Sequence, residues 1–497
     1  MTTQSAGDPR ASERGTGQAG SILKRFTRAS LTYGLGGFLK RGLGFLLIPI
    51  YTNYLTPAEY GIVGVVLAIF SAFTVIFGLG LRGAITRQYF EHADEPRRLS
   101  RYIGSVYTFF LVYGALGAGL LSIVGREVVE EFLASMPFVP FVPLSLWAAF
   151  FAAAGGLVLS LYRAREQAGR YVTFEILSGL FLVAGVVVFV VLRDGGAVGQ
   201  ALGLVGGSFA TFALASSLIL RESRPRLDAG MIRSAVAFGA PLTVHLLAGW
   251  VLLAADRLIL ARLVPLADLG VYTLGYQLGM IVGAVASALN AAWTPIFYDT
   301  VRNREGASRS LGQLASINLS LSIGAALIVI LFARELVAIL GGDVEYRRAA
   351  GVIPIIALGY TLQGVYFVLV TPIFYAQRTV LLPPLTATAA GLNIVLNLLF
   401  IPILGIAGAA WATLVAFGVL AVGTGVVAHK QFMVYYEVRK LAGLVIVLLL
   451  GALIAPALAS LPTAAEIGVK LLIVAVFAAT IALTGIASRR RLGQLLR

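Results

Sequence analysis

A chain of 497 residues that is 59% hydrophobic and 12% charged, with a mean hydropathy of +0.90, is excluded from the ordinary soluble class, whose charge content is about twice as high. It contains no cysteine, which excludes a disulfide framework and any thiolate metal site. A net charge of +15 would suggest nucleic acid in a soluble protein, but its distribution along this sequence assigns it to a membrane surface, with no nucleic-acid partner.

Residues 1–28 open on a stretch rich in Thr, Gln, Ser, Gly and Arg that cannot bury apolar surface, and a disordered basic tail is expected there. No A-x-A-like cleavage site follows, which argues against a signal peptide. A membrane span needs about 20 mostly apolar residues. Fourteen such segments are predicted, at 29–51, 60–86, 102–124, 140–161, 171–192, 197–220, 234–261, 269–297, 312–333, 351–374, 380–401, 405–428, 441–460 and 466–487.

Two motifs recur at one offset. Ala58-Glu59-Tyr60-Gly61-Ile62 returns as Ala267-Asp268-Leu269-Gly270-Val271, and Ala197-Val198-Gly199-Gln200-Ala201 returns as Ile406-Ala407-Gly408-Ala409-Ala410, in both cases 209 residues later. The expected fold is therefore an all-α integral membrane protein of about fourteen transmembrane helices, in two homologous halves around a central cavity. The halves are residues 29–220, with spans 1–6, and residues 221–428, with spans 7–12. Residues 429–497 add a further helix pair, spans 13 and 14, and a basic C-terminus. Duplicated halves flanking a substrate site are a plan of secondary transporters.

Of the 38 Lys and Arg residues, 27 fall in the N-terminal segment, the even-numbered junctions and the C-terminus, and 7 in the odd-numbered junctions, among them Arg334 and Lys470. Cytoplasmic loops are the ones enriched in Lys and Arg, so both termini and the 87–101 loop are expected in the cytoplasm. The basic tails would sit against anionic membrane lipids.

Four cations fall inside spans: Lys40, Arg41, Arg82 and Arg257. A cation at the bilayer centre costs about 2.5–3.5 kcal/mol on insertion scales, so it normally faces a partner or a wet cavity. Arg41 shares a helix face with Gly34, Gly37 and Gly44, suited to a cavity wall, and Lys40 points about 100° away. Arg82 and Arg257 lie nearer span ends, where snorkelling competes with a cavity role. Asp256 adjoins Arg257, but side chains at i and i+1 do not face each other, so a partner on another helix, Lys40 or Arg41, or a coupling cation is expected; a structural ion pair is the competing assignment. Glu175 is expected to snorkel or cap, Asn393 and Asn397 to bond across helices, and Gly275, Gly279 and Gly283 to mark close packing. No G-x-S-x-G, H-E-x-x-H or P-loop motif occurs, and the expectation is a transporter rather than an enzyme. It would have no cofactor and would be driven by a proton or sodium gradient or by the membrane potential.

The runs Gly42-Leu43-Gly44-Phe45-Leu46-Leu47-Ile48-Pro49 and Leu55-Thr56-Pro57-Ala58-Glu59-Tyr60-Gly61 are followed by Asp256-Arg257-Leu258-Ile259-Leu260 and Ala267-Asp268-Leu269-Gly270-Val271-Tyr272. Asn393 and Asn397 then lead into Ile401-Pro402-Ile403-Leu404-Gly405-Ile406-Ala407-Gly408-Ala409-Ala410. In order and spacing this set resembles the polysaccharide-transporter branch of the multidrug/oligosaccharidyl-lipid/polysaccharide flippase superfamily. The resemblance implies a flippase in the cytoplasmic membrane of a bacterium or archaeon, moving a polyprenyl-diphosphate-linked oligosaccharide for O-antigen, capsule or exopolysaccharide. Glycosyltransferases and a polymerase of the same pathway would be its partners. By position in span it implies Arg41, Lys40, Arg82 and Arg257 as the diphosphate-binding set, with Asp256 as the ion-coupling residue. Alternatives are a lipid II flippase and a multidrug/cation antiporter, which usually has twelve spans and acidic cavity residues. A membrane-embedded glycan ligase or polymerase would need a large outer loop that this chain lacks.

Overall fold

The computed structural model describes residues 42–92, 94–133, 135–303, 307–342 and 344–486. Most of the first predicted span, with Gly34, Gly37, Lys40 and Arg41, lies outside them. Helix α1 covers 42–54. The N-terminal half continues with α2 (Pro57–Gly78), α3 (Leu81–Glu91), α4 (Pro96–Val124), α5 (Arg126–Phe132), α6 (Phe141–Ala164), α7 (Ala168–Val186, running on as a π-helix over Val187–Leu192) and α8 (Gly196–Glu222). The second half holds α9 (Ala229–Leu263), α10 (Leu266–Gly279), α11 (Ile281–Asn303), α12 (Ala307–Leu331), α13 (Ala333–Leu340), α14 (Ile353–Tyr375), α15 (Leu382–Leu404) and α16 (Ile406–Gln431). Helices α17 (Val438–Leu458) and α18 (Thr463–Leu483) complete the chain. Among the described residues, thirteen helical segments are long and apolar enough to cross a membrane, and they coincide with predicted spans 2–14 to within a few residues at most ends.

Local chemistry sets the boundaries. At the start of α2, Thr56 accepts from the Glu59 amide at 3.3 Å while Glu59 Oε2 accepts from the Thr56 amide at 3.0 Å, a capping box with Pro57 in the first turn. The repeated motif is therefore a helix start. Its second copy opens α10, where Asp268 pairs with Arg348 at 2.8 Å instead. Span 2 breaks between α2 and α3 at Leu79 and Gly80, both with positive φ. Gly80 also lies so close to α9 that a Cβ there would be 2.7 Å from Gly239 Cα, a position only glycine fits.

Within the first half, α6 is the central helix, packed against α2, α3, α4 and α8. In the second half α14 packs against α11, α12 and α16, and α15 fills the space between α9 and α16. The halves join through α2 on α10 and α9, and α3 on α9. The connection between them is laced to α4. Ser100 Oγ donates to the Glu222 carbonyl at 2.9 Å, and the Arg226 amide donates to Thr108 Oγ1 at 3.2 Å.

The extra pair α17–α18 docks on α12. Lys470, counted with the odd-numbered junctions although predicted span 14 begins at 466, belongs to the helix. It lies inside α18, fully buried, paired with Glu335 of α13 at 2.5 Å and Glu466 at 2.8 Å. Two carboxylates offset the cost of burying the ammonium, which lets a lysine sit inside the span. Gly275 and Gly279 of α10 and Gly283 of α11 do mark close packing, on Val352, Ile356 and Tyr360, and the span breaks between α10 and α11.

Candidate functional site

The repeated motif lies where the two halves touch. Gly61 of α2 and Gly270 of α10 face each other. A Cβ on Gly61 would stand 2.9 Å from the Leu266 carbonyl carbon, and one on Gly270 would stand 2.8 Å from the Pro57 carbonyl carbon. One turn on, Gly64 lies opposite Thr273. Gly61 and Gly270, Pro57 and Leu266, and Gly64 and Thr273 are each 209 residues apart, so equivalent helices of the two repeats cross at equivalent points. Side contacts reinforce the crossing. Thr52 Oγ1 of α1 donates to the Leu340 carbonyl at 2.6 Å, and Ser135 Oγ donates to the carbonyl of Ala261, the repeat equivalent of Thr52. Tyr346 OH donates to the Leu55 carbonyl at 3.1 Å, and Tyr60 OH donates to Gln277 Oε1 at 3.1 Å. At the end of the molecule away from the arginine-rich junctions, each half thus reaches the first helix of the other.

Just below this clasp lies the pair Asp256–Arg257 on α9. Both side chains are largely buried. Contrary to the expectation from helix geometry, the adjacent residues do meet: Arg257 curls back so that Nη1 donates to Asp256 Oδ1 at 3.0 Å and to the Leu253 carbonyl at 2.8 Å. Its guanidinium covers the Tyr276 ring at 4.0 Å. Asp256 Oδ2 accepts from Tyr272 OH, and Tyr360 OH donates to Tyr276 OH at 2.9 Å. Asp256 and Arg257 are therefore satisfied by α9 and α10, and α14 backs them through Tyr360 on Tyr276. The sequence analysis missed the three tyrosines. The i,i+4 spacing of Tyr272 and Tyr276 was the available signal.

Arg82, at the start of α3, is set apart from this latch. Its stem runs across α6 at Gly156, where a Cβ would be 2.7 Å from Arg82 Cδ. The side chain is exposed, yet Arg163, Tyr171 and Glu175 lie within electrostatic reach. A span cation normally faces a partner or a wet cavity, and Arg82 has both a carboxylate and a tyrosine nearby. Glu175 neither snorkels nor caps: it is buried, and Tyr171 OH donates to it at 3.4 Å. Arg82 and Arg257 therefore sit in separate clusters. Lys40 and Arg41 lie outside the described residues. Asn393 and Asn397 are fully buried, but the bonds they make run along α15, from Asn397 Nδ2 to the Asn393 carbonyl at 2.8 Å and to its Oδ1 at 3.1 Å.

A separate groove of about 450 Å³ lies between α12, α14, α16 and α17. Apart from Thr361 and Tyr436, its walls are aliphatic.

Comparison with known proteins follows the same lines. Residues 26–301 match the family model described as polysaccharide biosynthesis protein, and residues 241–399 match the MatE model. Lsg locus putative protein 1 of Haemophilus influenzae is 23% identical over 366 residues, covering 71% of this chain and 86% of that protein. The lipid II flippase MurJ in its inward closed conformation superposes with a TM-score of 0.74 at 13% identity, over 91% of this chain and 99% of that one. An inward-facing multidrug resistance MATE transporter superposes with a TM-score of 0.64 at 14% identity, over 79% and 94% of the respective chains.

Proposed function

The chain belongs to the polysaccharide biosynthesis protein family of the multidrug/oligosaccharidyl-lipid/polysaccharide flippase superfamily, and on that premise we propose that it carries a polyprenyl-diphosphate-linked oligosaccharide from the cytoplasmic to the outer leaflet. The observation that carries this reading is Arg82, a span arginine that lies across α6 at Gly156 with its side chain exposed. A diphosphate moving through a bilayer needs cations that are accessible and not consumed by structural pairing, and a guanidinium matches phosphate oxygens two at a time. Arg41 and Lys40 of the first span complete the proposed set. Arg257 is engaged by Asp256 and Tyr276 in this state and joins the set when the latch opens. The aliphatic groove beside α17 suits a polyprenyl chain, which meets there the same apolar surroundings as among lipid tails.

In this proposal the clasp of α2 on α10 closes the outer side, and alternating access parts the halves there. Asp256 couples the movement. Released from Arg257 and Tyr272, its carboxylate would take a proton or a sodium ion. Glycosyltransferases would supply the substrate on the cytoplasmic side and a polymerase would consume the product outside.

The test is translocation of a fluorescent polyprenyl-diphosphate oligosaccharide in proteoliposomes. Wild type is expected to move it. Arg41→Ala should lower the rate at least tenfold, and Arg41→Lys should restore part of it, because a point charge loses the bidentate contact. Movement of lipid II in preference to this substrate would shift the reading to peptidoglycan, and movement of cationic drugs alone would overturn it. Orientation is tested separately. Because the chain has no cysteine, Asp94→Cys gives a single thiol in the 87–101 loop. It should resist an impermeant thiol reagent in intact cells and react once the membrane is opened. Labelling from outside would invert the proposed topology.

A further inference from the structure

The groove beside α17 has a neighbour of different character. At the C-terminal end of α16, on the arginine-rich side of the molecule, a second cavity of about 500 Å³ opens between Leu369 of α14, the last turns of α16 and the segment that follows them. The two cavities share Leu369 and Tyr436 as a common wall. The groove is aliphatic, whereas this cavity is lined by His429 and Lys430 towards the helix end and by Val422 and Val426 further back. All four residues are exposed. Phe432 and Tyr436 line it as well, aromatic residues of the kind that sits at headgroup level.

Cations in the last turn of a helix ordinarily answer its dipole. The duplicated half shows such an end closed off by neighbours. The equivalents of Lys430 and Gln431 at the end of α8 are Arg221 and Glu222. There Glu222 pairs with Arg165 at 2.6 Å and its carbonyl accepts from Ser100. Helix α16 ends on His429, Lys430 and Gln431 instead, and no carboxylate pairs with His429 or Lys430 among the described residues. Glu437, in the segment beyond, is taken by Lys440. The cations at this cavity are therefore available to an anion from outside the chain. That anion must also bring hydrocarbon, because Val422 and Val426 stand one turn apart as an exposed apolar stripe leading away from the charge. A phosphodiester carrying acyl chains meets both demands. Its single charge matches one ammonium, and a neutral imidazole adds a donor without a second charge. We propose that this cavity binds an anionic glycerophospholipid of the adjacent leaflet, with its phosphate at Lys430 and His429 and an acyl chain along Val422 and Val426. The site lies beside the groove given to the polyprenyl chain and leaves that groove free, and it does not depend on which substrate is carried.

The experiment titrates the delipidated full chain in a non-ionic detergent with dioleoyl phosphatidylglycerol or dioleoyl phosphatidylcholine and counts bound lipids by native mass spectrometry. Wild type should hold one phosphatidylglycerol about fivefold more tightly than phosphatidylcholine, the selectivity of one ammonium near a headgroup. Lys430→Ala should abolish that preference, Lys430→Arg should keep it, and His429→Ala should weaken phosphatidylglycerol binding roughly two- to tenfold. Gly425→Leu, which puts a side chain into the cavity, should weaken both lipids alike. The pair Arg489→Ala and Arg490→Ala removes two cations of the C-terminal tail and should change nothing. Thermal unfolding of each variant checks that folded proteins are compared, and Lys430→Gln stands in for Lys430→Ala if that variant unfolds. Equal binding of the two lipids by wild type overturns the proposal, and so does wild-type phosphatidylglycerol binding by the Lys430 variants and Gly425→Leu. If inorganic phosphate displaces the lipid at the lipid's own concentration, the cavity is a free-anion site and the proposal fails. If polyprenyl diphosphate displaces it from wild type, the cavity belongs to the substrate, and the phospholipid site fails while the transport reading stands.

Discussion

Joining α2 to α10 by a disulfide, through Gly64→Cys and Thr273→Cys, is expected to stop transport completely and reversibly. A Cβ built on Gly64 stands 3.5 Å from Thr273 Cβ, within the separation of about 3.5–4.5 Å that disulfides span. Replacing Thr273 also removes the hydroxyl that crowds Gly64 in the native protein. The bond would tie the two halves at the crossing that opens in the proposed alternating-access movement. With no native cysteine, no competing disulfide can form. Oxidised protein should show no translocation above the lipid background, reduction should restore it, and each single cysteine should behave as wild type. Full activity of the cross-linked protein would mean that the halves part elsewhere.

Removing one member of the buried pair on α9 is the second large effect. Arg257→Ala takes away the guanidinium that occupies Asp256 Oδ1 and leaves a buried carboxylate held by Tyr272 and the Arg257 amide. Breaking such a pair by one partner typically costs about 3–5 kcal/mol. Asp256→Asn keeps the shape and still accepts from Tyr272, so it should cost less, and the double variant Asp256→Asn with Arg257→Gln should be more stable than Arg257→Ala alone. Thermal unfolding in detergent orders the three. Transport adds a further distinction. If Asp256 couples the ion, Asp256→Asn should lose the response of transport to pH and sodium even where its stability is close to wild type. A wild-type response would confine Asp256 to holding the latch.

The sequence disclosed the helices because apolar length is a local property, and it disclosed the duplication because Gly61 and Gly270 sit in matched surroundings that retain similar neighbours. What it concealed was pairing between helices distant in sequence. Lys470 lies in predicted span 14 yet is counted among loop cations, because nothing near it in sequence reveals Glu335, from a helix over a hundred residues earlier, as its partner. Asp256 and Arg257 read as mutually averted until Tyr272 and Tyr276 supply a surface onto which the arginine folds back. Glu175 reads as a snorkelling or capping residue of span 5 and Arg163 as a junction cation, because each is defined by Tyr171, whose phenol nothing in its own neighbourhood marks as a connector. Spacing along one helix face predicts neighbours within that helix, whereas the candidate site is built from three helices at a time.

The meeting of Gly61 with Gly270 has a consequence for how this chain came about. In an isologous homodimer, a residue close to the two-fold axis meets its own copy in the other subunit. Two equivalent glycines in contact are that arrangement written into one polypeptide. In a dimeric ancestor any change at this glycine would have struck both sides of the contact at once, so the position was constrained doubly. Within one polypeptide the two glycines are separate positions, and the rest of each repeat is free to differ. The positions equivalent to Asp256 and Arg257 in the first half are Leu47 and Ile48, with no charge at all. The ion pair is therefore an asymmetry between the repeats that a strict homodimer could not have on one side only.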